Sequence, residues 1–418
     1  MQQTFKIFFV AALVFMSSHA FSQNVSSPYS ILGIGDMETN DYGRFSATGS
    51  ASVARRNVGF YNFSNPASLS VMPYKSINLD VAFRGRISRF KSPGSDTSTA
   101  ATKDFIIKRI TLAFKSGKKT GVAFGLRPFS SVNYQYTAAS AIADGDAKYD
   151  KYVSGTGGLY DVYFSIGKEI SKRLSLGATA TWRFGSLQKS VNYYNPDYSL
   201  DITRNETRFY YGAGLLAGLQ YYSLPEKKWQ HSIGFTAAFN TSLHGQTTTD
   251  YTSAGSSIKT SVENSAAFKL PVSLVAAYAL SGKKGILVTG QVSYDHWPTQ
   301  KLFYPNSITS DAFGLNAGIE YSHKIKLNRY SAEDYFIGLG GKAVQSYVLL
   351  NDQKLVDYSI TLGGGKSVSR FLSVNGSIEV GNRGKISLAQ IRENYTQFNF
   401  GLTLKDFWSG TKHFGRFN

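Results

Sequence analysis

The 418-residue chain contains no cysteine, which excludes a disulfide framework and any cysteine-ligated metal or cluster. Proline is scarce, at ten residues, and charged residues make up only 17%, against about 25% in an average soluble domain. Beyond the first residues there is no apolar run near the ~18 that a membrane-spanning helix needs. Histidine is thin as well: His231, His244, His296, His323 and His413 are scattered, with no pair at metal-ligand spacing. Glycine, at 40, and aromatic residues, with 29 Phe and 27 Tyr, are abundant instead. So many aromatics exclude a chain that stays uncollapsed. What remains is a soluble β-rich protein or a membrane β-barrel. The net charge of +18 on its own suits a nucleic acid or a membrane surface.

The N-terminus narrows this choice. Lys6 is followed by an unbroken apolar stretch, Ile7 to Phe15, and by the small-x-small pattern Ser18-His19-Ala20. That layout is a secretory signal peptide over residues 1–20. No cysteine follows it, so lipoprotein processing is excluded. Export removes nucleic acid from the partners that the positive charge would serve.

From about residue 76 the chain alternates strictly. Ile77, Leu79, Val81 and Phe83 interleave with Asn78, Asp80, Ala82 and Arg84; Phe398, Phe400, Leu402 and Leu404 interleave with Asn399, Gly401, Thr403 and Lys405. Period two over this length means strands with one apolar and one polar face. The pattern predicts fourteen strands, near 76–90, 105–116, 121–136, 158–170, 174–194, 203–222, 230–244, 262–280, 285–297, 309–323, 335–349, 356–366, 371–383 and 392–408. An even count is the habit of single-chain bacterial outer-membrane barrels.

The connectors point the same way. Tight turns such as Ser116-Gly117-Lys118-Lys119, Ser171-Lys172-Arg173, Ser281-Gly282-Lys283-Lys284 and Ser367-Val368-Ser369-Arg370 follow even-numbered strands. Connectors after odd strands are mostly longer and rich in Ser, Thr, Asp and Gly, as in 137–156 and 246–261. This is the asymmetry of periplasmic turns and extracellular loops, and it places both termini in the periplasm. The fold expected is therefore all-β, a transmembrane antiparallel barrel over 76–408 with its apolar face to outer-membrane lipid. Tyr193, Tyr194, Tyr221, Trp297 and Trp408, near strand ends, suit interfacial girdles. Pro128 and Pro271 mark places where a strand would break.

The residues before the first strand read Gly43-Arg44-Phe45-Ser46-Ala47-Thr48-Gly49-Ser50-Ala51-Ser52-Val53-Ala54, then Asn65-Pro66-Ala67-Ser68-Leu69. This resembles the N-terminal region of the FadL (FadL/OmpP1/TodX-like) family of outer-membrane transport proteins, where a small-residue stretch precedes an N-P-A-x-L motif. Ser27-Pro28-Tyr29-Ser30-Ile31-Leu32-Gly33-Ile34-Gly35-Asp36 looks like the start of many Bacteroidota members. The resemblance implies that residues 21–75 form a plug, or hatch, in the lumen of a fourteen-stranded barrel, followed by a periplasmic tail over 409–418. The plug motif residues would be Gly49, Ala51, Asn65, Pro66, Ala67 and Leu69. Read without the resemblance, Asn65-Pro66-Ala67 is a turn leading into the first strand.

The resemblance implies passive uptake of a hydrophobic or amphipathic small molecule. It also leaves room for a non-transporting accessory barrel with protein partners in a secretion or assembly complex, as in the type IX secretion shuttle protein. Classical members capture substrate with a long apolar extracellular region. Here 91–104 and 246–261 are Ser/Thr/Gly-rich, a departure that weighs against capture of long-chain lipid.

Taking the face opposite the apolar one gives the candidate pathway residues Asp80, Arg84, Arg86, Arg109, Arg127, Arg183, Asp295, Glu320, Lys342 and Glu379, six bases to four acids. Inward placement follows from the ~2–4 kcal/mol cost of an Arg or Lys facing mid-bilayer lipid. These charges read either as ion pairs between plug and wall or as a basic conduit. No catalytic set, metal site or cofactor site is expected. Asp295-His296 are strand neighbours pointing to opposite faces, and Gly363-Gly364-Gly365-Lys366-Ser367 lacks both the first glycine and the helix of a phosphate loop. Gly212, Gly214 and Gly218 fall inside a strand, where small inward residues would make room for a plug.

Overall fold

Alternation becomes a wall in the computed structural model, which describes residues 27–38, 43–92, 99–141, 148–195, 200–223, 229–253, 256–264, 267–302, 304–327, 330–387 and 390–407. The expected signal peptide and C-terminal tail lie outside the described residues, as do Trp408 and His413. Fourteen antiparallel strands close on themselves, as the alternation predicted. They are β1 Ser76–Lys91, β2 Thr99–Phe114, β3 Thr120–Ala141, β4 Lys148–Ser171, β5 Leu174–Asn195, β6 Leu200–Tyr222 and β7 Trp229–Asn240. The ring continues through β8 Val272–Gly282, β9 Ile286–His296, β10 Ala312–Leu327, β11 Tyr330–Leu350, β12 Gln353–Ser367, β13 Leu372–Arg383 and β14 Arg392–Phe407. β14 pairs with β1 from Arg392↔Lys91 to Phe407↔Ser76. That last ladder removes the free edge that a bilayer could not solvate.

Each strand separates its residues by parity. On β1 the side chains of Asn78, Asp80, Arg84 and Ser88 are buried, whereas Ile77 and Ile87 are exposed. Val162, Phe164 and Ile166 on β4, Ile360 and Leu362 on β12, and Phe398 and Phe400 on β14 extend the exposed apolar belt round the ring. A belt this continuous is stable only against hydrocarbon. Among the described residues no helix is long and apolar enough to cross a membrane.

Several boundaries differ from the sequence expectation. The segment 137–156, expected as a loop, is mostly strand, because β3 and β4 run to 22 and 24 residues. The strands expected at 230–244 and 262–280 are each interrupted. β7 stops at Asn240, and a hairpin of His244–Ser253 and Ser256–Asn264 rises from the rim along β6. β8 starts immediately after Pro271, whose missing N–H cannot join a ladder. β11 and β12 are joined by two residues only, Asn351 (φ 46°) and Asp352 (φ 59°). Paired left-handed residues of this kind make the tight hairpin turn whose twist matches the strands. The connectors after even strands stay short, and the two longest connections, 241–271 and 297–311, fall at the opposite end. The two ends are called here the turn end and the loop end. Of the expected girdle, Tyr194 and Tyr221 face outward. Trp297 does not: it is buried, stacked on Tyr347 at 4.3 Å with Phe268 at its edge.

Candidate functional site

The N-terminal residues lie against inward-facing positions all round the ring. Asn65 caps a 3₁₀ turn, Pro66–Val71, its Oδ1 accepting from Ala67 N at 3.1 Å. Proline at the first position of that turn lacks only an N–H that would be unpaired anyway. The other end of the Asn65 amide donates to Val53 O (2.9 Å) and Leu219 O (3.0 Å), tying the turn to the rest of the segment and to β6. Ala67 and Leu69 are fully buried. Their seat is glycine-built: a Cβ at Gly177 would meet Ala67 N at 2.4 Å, one at Gly121 Leu69 O at 2.4 Å, and one at Gly218 Asn65 Oδ1 at 2.2 Å. On the far wall a Cβ at Gly340 would lie 2.2 Å from Gly49 N. Asn316 donates to Gly49 O (2.7 Å) and Thr289 to Ala51 O (3.0 Å). Asn65-Pro66-Ala67 is thus a capped 3₁₀ turn gripped by four strands, more than the plain turn of the local reading.

Charge fixes the same segment. Arg44 and Glu320 make a two-pronged pair (2.8 and 2.6 Å), Arg44 also reaches Glu333 (2.7 Å), and Arg55 reaches Glu320 (2.7 Å) and Thr48 (2.8 Å). The side chains of Arg44, Arg55 and Glu320 are all but sealed from solvent, so each charge depends on its partner. Nearer the loop end, Glu38 accepts from Arg84 (2.9 Å), Lys108 (2.9 Å) and Ser131 (3.1 Å), and Asp36 pairs with Arg383 (2.8 Å). Ser27 and Ser88 both donate to Glu393.

The remaining pathway candidates, Asp295 excepted, are ion-paired within the wall. Arg109 pairs with Asp80, which also accepts from Thr403 (2.9 Å). Arg127 (2.9 Å) and Arg183 (2.8 Å) share Asp161, and Lys342 pairs with Glu379 (2.7 Å). Arg86 stacks on Tyr395 at 3.7 Å and lies 3.5 Å from Glu393. Asp295 sits on β9 opposite Ser273 of β8, away from these clusters. Asp295 apart, the candidates thus sit in a network of ion pairs.

The acids and bases that complete it were absent from the sequence reading. Parity along the strands would have found Asp161 and Glu393. Asp104 and Lys108 escape parity counted from Arg109, because a bulge opposite Ala82 and Phe83 turns Lys108 and Arg109 inward together and shifts the count beyond them. Arg44, Arg55, Asp36 and Glu38 stand in irregular chain, where no period reports a face. Among the described residues no group of three His, Asp or Glu is placed to hold a metal ion.

Among the described residues the wall has one parting, between β2 and β3. The ladder between β2 and β3 spans only Ile110↔Leu126 to Phe114↔Val122. Above it β2 continues along β1, and β3 continues along β4. Pro128 stands at the point of separation, followed by a bulge that turns Phe129 inward beneath the Arg183 guanidinium, 3.2 Å away. The N-terminal segment enters this cleft: Asp36 and Met37 pair with Ser131 and Ser130, and Glu38 N donates to Phe129 O (2.9 Å). Behind the cleft lies an apolar cluster in which Tyr29, Leu32 and Ile34 pack with Phe129, Val132, Tyr134 and residues from across the ring. Burial pushes the Tyr29 hydroxyl up to about 12, so it stays protonated against the backbone of Ile391.

The barrel resembles several solved transporters. The toluene transporter TodX of Pseudomonas putida superposes with a TM-score of 0.59 at 15% identity, over 87% of this chain and 99% of that one. A Pseudomonas aeruginosa FadL homologue gives 0.59 at 12% identity, over 90% and 99%. The Ralstonia pickettii toluene transporter TbuX gives 0.57 at 12% identity, over 93% and 100%. At such identities the likeness is one of fold. No curated protein sequence matches the chain. A family description does: the BamG model matches residues 4–415, nearly the whole length, and the chain belongs to the BamG family.

Proposed function

We propose that this protein is an outer-membrane barrel that passively admits hydrophobic or amphipathic small molecules, with residues 27–75 as its plug and the turn end in the periplasm. One observation carries the reading: β2 and β3 part at Pro128, and the parting leads from the apolar outer face to the apolar cluster around Tyr29, Leu32 and Ile34. A molecule dissolved in the bilayer would enter between the strands and displace the Asp36–Glu38 stretch. Similar barrels are described as toluene transporters, which fits a small apolar solute better than a long acyl chain. The lumen charges act here as the frame that positions the plug.

The absence of cysteine makes the test clean. Met37 and Ser130 are paired residues, so Met37→Cys with Ser130→Cys would tether the segment across the cleft. Oxidation should stop uptake of an apolar fluorescent probe by cells, and reduction should restore it. Uptake that ignores the tether, or equals that of the deletion strain, would sink the reading.

A second reading has its own support. Buried ion pairs pin the segment on several sides of the ring, which suits a permanently closed accessory barrel of an outer-membrane assembly or secretion complex, and the BamG assignment leaves that role open. A mild-detergent pull-down from native membranes, followed by mass spectrometry, separates the two. A stoichiometric larger partner together with tether-independent cell growth would favour the accessory role.

A further inference from the structure

On the outside of the wall, β10 to β14 and β1 enclose a groove of about 1010 Å³. Two ladder levels build it. The lower runs Ala317–Gly341–Ile360–Val380–Thr396–Ile87, and the upper runs Leu315–Ala343–Tyr358–Asn382–Asn394–Arg89. Ala317, Gly341 and Ala343 form a shallow floor, since a Cβ at Gly341 would meet only Ser359 O, at 3.3 Å. Leu315, Tyr358, Ile360 and Val380 stand around it, exposed and apolar.

Toward the loop end the outward face changes chemistry within two residues. β1 goes from Ile87 to Arg89 to Lys91, and β14 from Thr396 to Asn394 to Arg392; Lys103 of β2 stands beside Ile87. The outward positions of β1, β13 and β14 at this height carry no acid. Glu393, next in the chain to Arg392, is buried on the inner face with Ser27 and Ser88. Arg89 lies four strand spacings from Ala343, roughly 19 Å.

We propose that this groove is a site for a bilayer lipid with an anionic phosphate headgroup, the phosphate held by Arg89 and Arg392 and an acyl chain laid on the Ala317–Gly341–Ala343 floor. Charge complementarity selects this occupant. Hydrocarbon below a cationic rim, with the change made within two residues, mirrors a lipid's own change from chain to phosphate. Arginine presents a fork that fits phosphate oxygens. A zwitterionic lipid would bring a second cation against Arg89, Lys91 and Arg392, so the site should discriminate by headgroup. A partner protein would need acidic or apolar matter over a polar Asn382–Asn394 step.

The probes are phosphatidylglycerol and phosphatidylcholine with identical chains, added to the purified full-length barrel and counted by native mass spectrometry. The expected result is an adduct with phosphatidylglycerol favoured ~10-fold. R89Q with R392Q should bring the ratio to about one while the unboiled gel mobility of the folded barrel is unchanged. G341L should lower occupancy by both lipids. Equal binding of the two lipids by the wild-type barrel, or a preference that survives R89Q/R392Q, overturns the proposal. So does a photo-crosslinker at Val380 that captures protein and no lipid in native membranes.

Discussion

Between Ser27 and Met37 the N-terminal segment is held mainly by apolar packing, with Tyr29, Leu32 and Ile34 inside a cluster drawn from across the ring. Between Gly43 and Val71 it is held by sealed ion pairs and by backbone set directly on glycine. Both stretches are buried, yet the difference matters. Apolar packing is non-directional and tolerates exchange of one apolar group for another, so the first stretch could yield its place to a hydrophobic solute. A buried ion pair has no such substitute, because losing one partner strands the other. The second stretch is therefore the fixed part and the first the exchangeable part. Glu38, taking Arg84 and Lys108 at the edge of the cleft, is the boundary between them.

The comparison breaks most readily at Glu320. Glu320→Gln keeps the shape but leaves Arg44 and Arg55 buried without their shared carboxylate, a loss of about 3–5 kcal/mol. Denaturant unfolding, followed by the gel shift between folded and boiled barrel, should show a clearly lower midpoint. A midpoint equal to wild type would mean that the ion pairs do not fix the segment. Ile34→Ala probes the other stretch and should cost ~2–4 kcal/mol as a large-to-small change at a sealed site. Its signature should be local: limited proteolysis near the N-terminus accelerates while barrel unfolding moves little. Should both variants unfold the whole barrel alike, the division into fixed and exchangeable parts fails. Gly340→Ala comes next. Its Cβ would press on Thr48 and Gly49 backbone, an overpacking worth ~1–3 kcal/mol that should also speed cleavage after Arg44 or Arg55.

These two kinds of seating were not equally legible in the sequence. The wall was open to reading because alternation is a property of neighbouring residues: Ile77 against Asn78, or Phe398 against Asn399, already declares two faces and hence a barrel. Parity likewise placed Asp80, Arg183, Glu320 and Glu379 inward. It could not supply the partners of Glu320, because Arg44 and Arg55 reach it from chain that has no period. Bulges hide residues in the same way, as the inward pair Lys108 and Arg109 shows. Trp297 looked like a girdle residue from its place near a strand end, but it lies one residue past β9, where the chain turns in and the stack on Tyr347 decides its side. Pro128, expected to break its strand, does not: β3 runs on through it, and only the ladder to β2 ends there. That the N-terminal segment would pair into the cleft was not legible, since a two-residue ladder such as Asp36–Met37 with Ser131–Ser130 leaves no pattern in sequence.

The smallest effect is expected at Asn65, where the two roles of one side chain can be separated. Its Oδ1 caps the Pro66–Val71 turn, and its Nδ2 bridges Val53 and Leu219. Asn65→Ala loses both, whereas Asn65→Ser retains a cap acceptor and loses only the bridge. Caps and single neutral hydrogen bonds are each worth about 1 kcal/mol, and the bridge is two such bonds, so alanine should cost roughly half as much again as serine. Equal losses would show that the cap contributes nothing and that the turn is held by the glycine seat alone. Because the bridge joins the 3₁₀ turn to Val53, two residues from Arg55, Asn65→Ser should also lower the coupling measured between Glu320→Gln and Gly340→Ala in a double-mutant cycle. If that coupling is unchanged, the ion pairs and the glycine contacts hold the segment independently, and the fixed part is two anchors in place of one.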